Sequence, residues 1–302
     1  MAKFYGTAGT RRGSVGNEVY YIQKTQNIVR RLPSFIFNPR TVKQQTQRIR
    51  MKNCLLGLKN VKSELDLSTF ANQEVIENKD NAYIKNNVSS CSYIDKKTSD
   101  IPNFPCLSDY IKCSYGTLTS IPLTIINSHM GIFVPEITSA QPTVSEVSAK
   151  LLEHYSFLRN EDTVTFFYYY CENIEYDAEK LYHFIEESKI KNLIQAKTGR
   201  KTFKINTNND NPISTYGLML QDATCLTVSA KTSQDTYVAE YNDQHPCYIL
   251  CFYARLIAEE QYNFCESSMA PNKGYVNMIE YSKQPDYIEL CLESFKVNVP
   301  NS

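Results

Sequence analysis

Three short stretches of this 302-residue chain carry side chains of types that can do chemistry. In His245-Pro-Cys247-x3-Cys251, three soft donors fall within seven residues, the kind of set that zinc takes. On a strand, however, Cys247 and Cys251 share a face four residues apart, too far for one ion without a turn. The expectation is two buried thiols beside a loop histidine. Glu161-Asp162 and Glu186-Glu187 are adjacent carboxylates of the sort used in acid–base work, read here as solvated acids at element ends. Phe166-Phe167-Tyr168-Tyr169-Tyr170 can be a stacking platform for sugars or bases, or a central strand buried on both faces; the second is the expectation. The four histidines, His129, His154, His183 and His245, form neither a helical pair nor a triad-like order. Gly13-Ser-Val-Gly16 lacks the lysine and the preceding strand of a phosphate loop. The expectation is a non-enzyme with no catalytic residue, no cofactor and no metal.

The ten cysteines are irregularly spaced and form no CxxC. Several sit in apolar runs, so they read as reduced, buried thiols. The first sixteen residues hold no apolar signal segment, and the longest apolar run, 247–254, is too short to span a bilayer. Together these set the expectation of a soluble chain made in a cytoplasm, with no membrane partner.

The elements that must position any functional surface begin with an asymmetry of charge. The chain has 32 basic and 32 acidic residues. Residues 1–62 hold 13 of the basic ones and a single acid, Glu18, a net +12. The remaining 19 basic and 31 acidic residues make the rest −12. Four of the ten glycines lie in the first sixteen positions, which predicts an extended arm. Residues 17–23 and 27–32 are β-prone around Lys24-Thr25-Gln26 and predict a hairpin, ended by Pro33. Asn38-Pro39-Arg40 is a turn, and Thr41 with Gln44 reads as a capping box that opens a helix over about 42–58. Gln44, Arg48, Met51, Leu55 and Leu58 recur on one face of that helix; Val42, Gln45, Ile49 and Leu56 form an adjoining stripe.

From 63 to 100 the chain is polar and reads as a linker, with a helix over 68–77 and loop over 78–100. Beyond it, strands are predicted at 110–114, 123–126, 131–135, 163–171, 202–206, 216–220, 224–228, 237–241, 248–257, 275–281 and 287–292, and helices at 144–158 and 178–189. The fold class is therefore mainly β with some helix (α+β). A basic arm, hairpin and long helix for docking or oligomerisation (1–62) and a polar linker (63–100) precede a β-sandwich or barrel-like body (101–302) with room for two subdomains.

The N-terminal motif Gly13-Ser-Val-Gly16-Asn17, Arg30-Arg31-Leu-Pro33 and Asn38-Pro39-Arg40-Thr41-x-x-Gln44-x-x-Gln47-Arg48 resembles a family found in Bacteroidetes and their phages. The resemblance covers residues 13–58, with a second echo at 107–118, and is diffuse beyond. The composition, rich in Asn, Lys, Ile and Tyr, suits an AT-rich phage of gut Bacteroidetes such as the crAss-like phages. The resemblance implies a non-enzymatic virion component, a ring or collar subunit of the neck or tail, assembled in the bacterial host cytoplasm, with no catalytic residues to carry over.

Read without the family, Gly13 and Gly16 permit tight turns and Asn17 can bond the backbone there. Gln47 and Arg48 leave the helix in different directions and are expected to bond hairpin carbonyls or a neighbouring subunit. The expected interface residues are Arg11, Arg12, Gly13, Gly16, Asn17, Arg30, Arg31, Pro33, Asn38, Pro39, Arg40, Thr41, Gln44, Gln47 and Arg48. Their expected partner is an acidic neighbouring copy in a cyclic homo-oligomer, beside other virion proteins. Two alternatives stand next to this reading: a carbohydrate- or receptor-binding β-domain using tyrosines, and a DNA-contacting virion protein using the arginines.

Overall fold

The N-terminal stretch folds where its β-prone residues and turn signals place it. In the computed structural model, which describes residues 2–3, 13–15, 18–23, 26–31, 40–65, 79–96, 104–172, 195–259 and 261–296, β3 (Glu18–Gln23) and β4 (Gln26–Arg31) form the expected hairpin. β1 (Ala2–Lys3) pairs with β4 and β2 (Gly13–Val15) with β3, so the sheet runs β1-β4-β3-β2. Its register sets Glu18 across from Arg31, a cross-strand pair of opposite charge. This sheet belongs to a compact unit spanning Met1–Thr41, and the rest of the chain, Val42–Ser302, is a second unit.

The second unit opens with α1 (Val42–Lys62), which starts where the sequence predicts and runs four residues further. Its buried side is built from Gln45, Ile49, Asn53, Cys54, Gly57, Leu58, Asn60 and Val61. Close packing needs Gly57: a Cβ there would stand 2.8 Å from both the Cys106 Cβ and the Tyr83 hydroxyl. Next comes α2 (Lys79–Asn87), a helix inside the stretch that reads as loop. The correction has a physical cause. Tyr83 is fully buried, and Asn87 bonds backbone, its Nδ2 donating to the Tyr83 and Lys112 carbonyls while its Oδ1 accepts from Lys112 N–H. Asparagine here ties segments together, although its abundance suggests a solvated linker. The predicted helices at 68–77 and 178–189 lie outside the described residues.

The body is mainly β with helices, as expected. One sheet has the order β5-β6-β10-β9: β5 (Leu123–Ile126), β6 (His129–Phe133), β9 (Leu218–Gln221) and β10 (Cys225–Val228). The other has the order β12-β11-β7-β8, with β13 also pairing β11: β7 (Thr163–Glu172), β8 (Gln195–Lys204), β11 (Cys247–Ala258), β12 (Gln261–Phe264) and β13 (Ser268–Pro271). Both sheets are open and antiparallel throughout their described ladders.

β7 and β11 are the centre of the second sheet and are buried on both faces along their shared length, which explains their unbroken apolar runs. Tyr169 stacks on Tyr248 directly opposite, with ring centroids 5.1 Å apart. On β8, Gly199 faces Tyr168, whose ring occupies the space a Cβ would fill.

Between β6 and β7 in sequence, α3 (Val144–His154) carries a full capping box, with Glu146 N–H donating to the Thr143 hydroxyl and Thr143 N–H to the Glu146 carboxylate. The chain ends in α4 (Lys273–Ser282) and α5 (Pro285–Ser294), where the sequence reading placed strands at 275–281 and 287–292. The aromatic, β-branched composition argued for strands, but helical spacing and the caps decide. Tyr275, Met278, Ile279 and Ser282 are buried at i, i+3, i+4 and i+7. Asn272 caps α4 through the Tyr275 N–H, and Pro285 occupies the first turn of α5.

Two further predicted strands, 110–114 and 237–241, make only isolated bridges or none. Their backbone groups bond side chains and loops instead, as in Cys113 N–H to Ser267 Oγ and Val238 N–H to the Ala230 carbonyl.

Candidate assembly interface

The last three motif residues, Gln44, Gln47 and Arg48, lie on α1, and tertiary contacts hold that helix along its inner side. Asn53 is fully buried. Its Nδ2 donates to the Ser92 carbonyl at 3.0 Å and the Leu107 carbonyl at 2.6 Å, and its Oδ1 accepts from Leu107 N–H at 3.0 Å. About two turns further, Asn60 Nδ2 donates to the Phe104 carbonyl. Near the middle of the helix the Arg50 guanidinium lies over the Tyr93 ring, and at its end Lys62 pairs with Asp80 of α2 at 2.9 Å. These contacts leave the opposite side to solvent. Arg48, Met51, Leu55 and Lys59 follow there at i, i+3, i+7 and i+11, one row about 16 Å long at 1.5 Å per residue. Met51 and Leu55 are 38% and 43% exposed, large values for apolar side chains at the centre of a basic row.

The helix contains six basic residues, Lys43, Arg48, Arg50, Lys52, Lys59 and Lys62, and no acid. The stripe predicted from Gln44 to Leu58 splits: Leu58 is buried, Gln44 half-buried, and Arg48, Met51 and Leu55 exposed. Buried positions drift around a helix of 3.6 residues per turn, and the small or polar residues Asn53, Gly57 and Asn60 take the core side because backbone and side chains approach closely there. Met51, Leu55 and Lys59 are members of the surface that the expected residues left out. Their sequence signal is the absence of any acid over 21 residues.

Of the expected interface residues, Gly13 lies on β2 across from Tyr20, and the exposed pair Arg30 and Arg31 lies on β4 across from Val19 and Glu18. Arg40 takes a left-handed φ of 49° at the turn, and exposed Thr41 immediately precedes the helix. Gln47 and Arg48 are exposed on α1. Arg11, Arg12, Gly16, Asn17, Pro33, Asn38 and Pro39 lie outside the described residues.

The other chemistry-bearing types are drawn into the core. All ten cysteines are buried thiols. Burial pushes Cys113, Cys171, Cys225 and Cys291 up to about 12 and Cys265 up to about 11, which disfavours the nucleophilic thiolate. Among the described residues no three His, Cys, Asp or Glu side chains are grouped to hold a metal ion. In the aromatic run, Phe166, Phe167 and Tyr169 are fully buried, and burial pushes the Tyr169 hydroxyl well above the usual tyrosine value. Asp162, read from the sequence as a solvated acid, is instead 1% exposed and bonded to Arg255; its neighbour Glu161 pairs with Lys204 at the surface.

His245 is also interior. It is 5% exposed, packs edge-on against Tyr170, and its Nε2 has no hydrogen-bond partner. Burial pushes its pKa below the ordinary 6.5, outweighing the opposing Val238 backbone bond and the Glu240 and Glu172 charges. The unfolded chain therefore binds a proton on His245 more readily than the folded one. Its contribution to stability is complete above about pH 6.5 and is lost as pH falls through the lowered folded value. We expect the urea midpoint to drop between about pH 7.5 and about pH 5.5, and His245→Gln to flatten that drop. Identical pH slopes for the two proteins would show that the group does not contribute.

No protein-family model, no curated protein and no solved structure matches the chain.

Proposed function

We propose that this chain is a non-enzymatic structural subunit of a bacteriophage virion, forming an oligomeric ring or collar in the neck or tail by docking its basic N-terminal segment and α1 on neighbouring copies. The observation that carries the reading is the outer face of α1. A helix anchored on its inner side by Asn53, Gly57 and Asn60 presents a cationic row with Met51 and Leu55 exposed at its centre. Cations around an apolar middle suit a protein partner of opposite charge: the apolar pair provides area to bury, and the rim charges guide register. The −12 that balances the first 62 residues lies in the rest of the same chain, which makes a second copy such a partner.

A carbohydrate-binding reading relied on tyrosines as platforms, and the longest aromatic run is used to fill the core between β7, β11 and the helices. A DNA-contacting role draws on the same cations as the assembly reading, so one experiment separates them. Size-exclusion chromatography with light scattering is expected to give a discrete oligomer that loosens as salt rises. A strict monomer at all concentrations, with duplex DNA bound steeply and salt-dependently, would replace the assembly reading by the DNA-contacting one.

A further inference from the structure

The complement to the α1 row is on α5. Where α1 has six cations and no anion, α5 has three anions, Asp286, Glu289 and Glu293, and no cation. The three are exposed and recur at i, i+3 and i+7, a single row about 10 Å long at 1.5 Å per residue. Tyr287 and Cys291 fix the helix from its opposite side in the core, and half-buried Leu290 and Leu292 border the acidic row. On α1, Arg48 and Lys59 stand about 16 Å apart with Met51 and Leu55 between them. The basic row is the longer one, so its two long side chains can bracket the acidic row while Met51 and Leu55 meet the leucine border.

Among the described residues these charges are almost all left over. Arg48, Lys59, Asp286 and Glu289 make no ion pair among the described residues, and Glu293 has only Lys296 at 3.8 Å on its own helix end. The two helices also pack against each other, so each copy carries both rows on one helix pair and can offer one while receiving on the other.

We infer that α1 of one copy docks on α5 of another, through Arg48 and Lys59 against Asp286, Glu289 and Glu293, with Met51 and Leu55 buried between them. The inference rests on the assembly reading and names its contact surface.

Charge reversal tests it. The double variant Arg48→Glu/Lys59→Glu is expected to weaken self-association by about tenfold or more in light scattering across a concentration series, because like charges then face each other. Asp286→Lys/Glu289→Lys should do the same. All four positions lie on the surface, so circular dichroism should be unchanged; Asp286 in the first turn of α5 and Lys59 in the last turn of α1 favour their helix dipoles, so the urea midpoint should fall only slightly. The decisive sample combines all four changes in one chain, which restores opposite charge across the contact and should restore association; a merely structural defect would not recover. If the reversed α1 variant assembles like the parent, this contact is wrong although the assembly reading stands. A parent chain that stays monomeric up to the highest soluble concentration overturns both. Loss of duplex DNA binding in the α1 variant, with association unchanged, assigns the row to nucleic acid and overturns the contact.

Discussion

Asp162→Ala is expected to destabilise the chain by about 3 kcal/mol or more, because it strands a guanidinium that has little access to water. Arg255 donates from Nε to Asp162 Oδ1 at 2.9 Å and from Nη2 to Oδ2 at 2.7 Å; Nη2 also donates to the Phe157 carbonyl at 2.7 Å. The carboxylate further accepts from Arg159 N–H at 2.8 Å. The side chains are 17% and 2% exposed, so solvent screens this pair far less than a surface bridge. Its position matters as much as its chemistry. β7 stops pairing with β11 at Thr163 opposite Ala254, and beyond that point β11 continues with β12 alone, carrying exposed Leu256, Ile257 and Tyr262. The Asp162–Arg255 pair clasps the ribbon where it leaves the sheet.

Urea unfolding of Asp162→Ala, Arg255→Leu and the double variant gives the coupling directly. The double variant should lose clearly less than the two single losses added together, since it removes both charges. Strict additivity would show that the pair is not coupled in the folded chain.

Asn53→Leu is expected to cost a comparable amount, about 3 kcal/mol or more, through a different cause. One amide serves three backbone groups, the Ser92 and Leu107 carbonyls and the Leu107 N–H, all in segments with no regular ladder to satisfy them. Leucine keeps the branched skeleton but has no polar atom, so the buried Ser92 carbonyl and Leu107 N–H would lose this partner at once, and the Leu107 carbonyl would keep only the Ser92 N–H. The consequence reaches function, because Asn53 lies on the core side of the helix whose outer row carries the proposed contact. Weaker self-association should accompany the loss of stability. A change in the urea midpoint corresponding to less than about 1 kcal/mol would mean that the segments re-pair without Asn53.

The elements whose signals are local were legible in the sequence. The hairpin of β3 and β4, the start of α1 at Val42, the start of α3 at Val144 and the long buried strands β7 and β11 follow from turn residues and apolar patterns only a few residues long. The elements misread are those where composition and spacing disagree. α4 and α5 are rich in Tyr, Ile and Val, which favour strands, yet their buried positions have helical spacing and their caps are at Asn272 and Pro285. α2 hid in an Asn-rich stretch because an asparagine that bonds backbone inside a fold looks, by type, like one that bonds water.

By itself, the sequence determined that the first 62 residues carry the positive charge and the remainder the negative, and that α1 contains no acid to cancel its cations. It also determined a thiol-rich, aromatic interior, since those residue types gain most from leaving water. Only the tertiary structure decided which side of α1 faces outward. Periodicity allots Met51, Leu55 and Leu58 to one stripe, whereas the pull of Asn53 toward Ser92 and Leu107, and the close approach allowed by Gly57, turn Leu58 into the core and leave Met51 and Leu55 in water. The acidic row of α5 was likewise beyond sequence reasoning, because on a strand Asp286 and Glu289 would point to opposite faces and only a helix aligns them with Glu293.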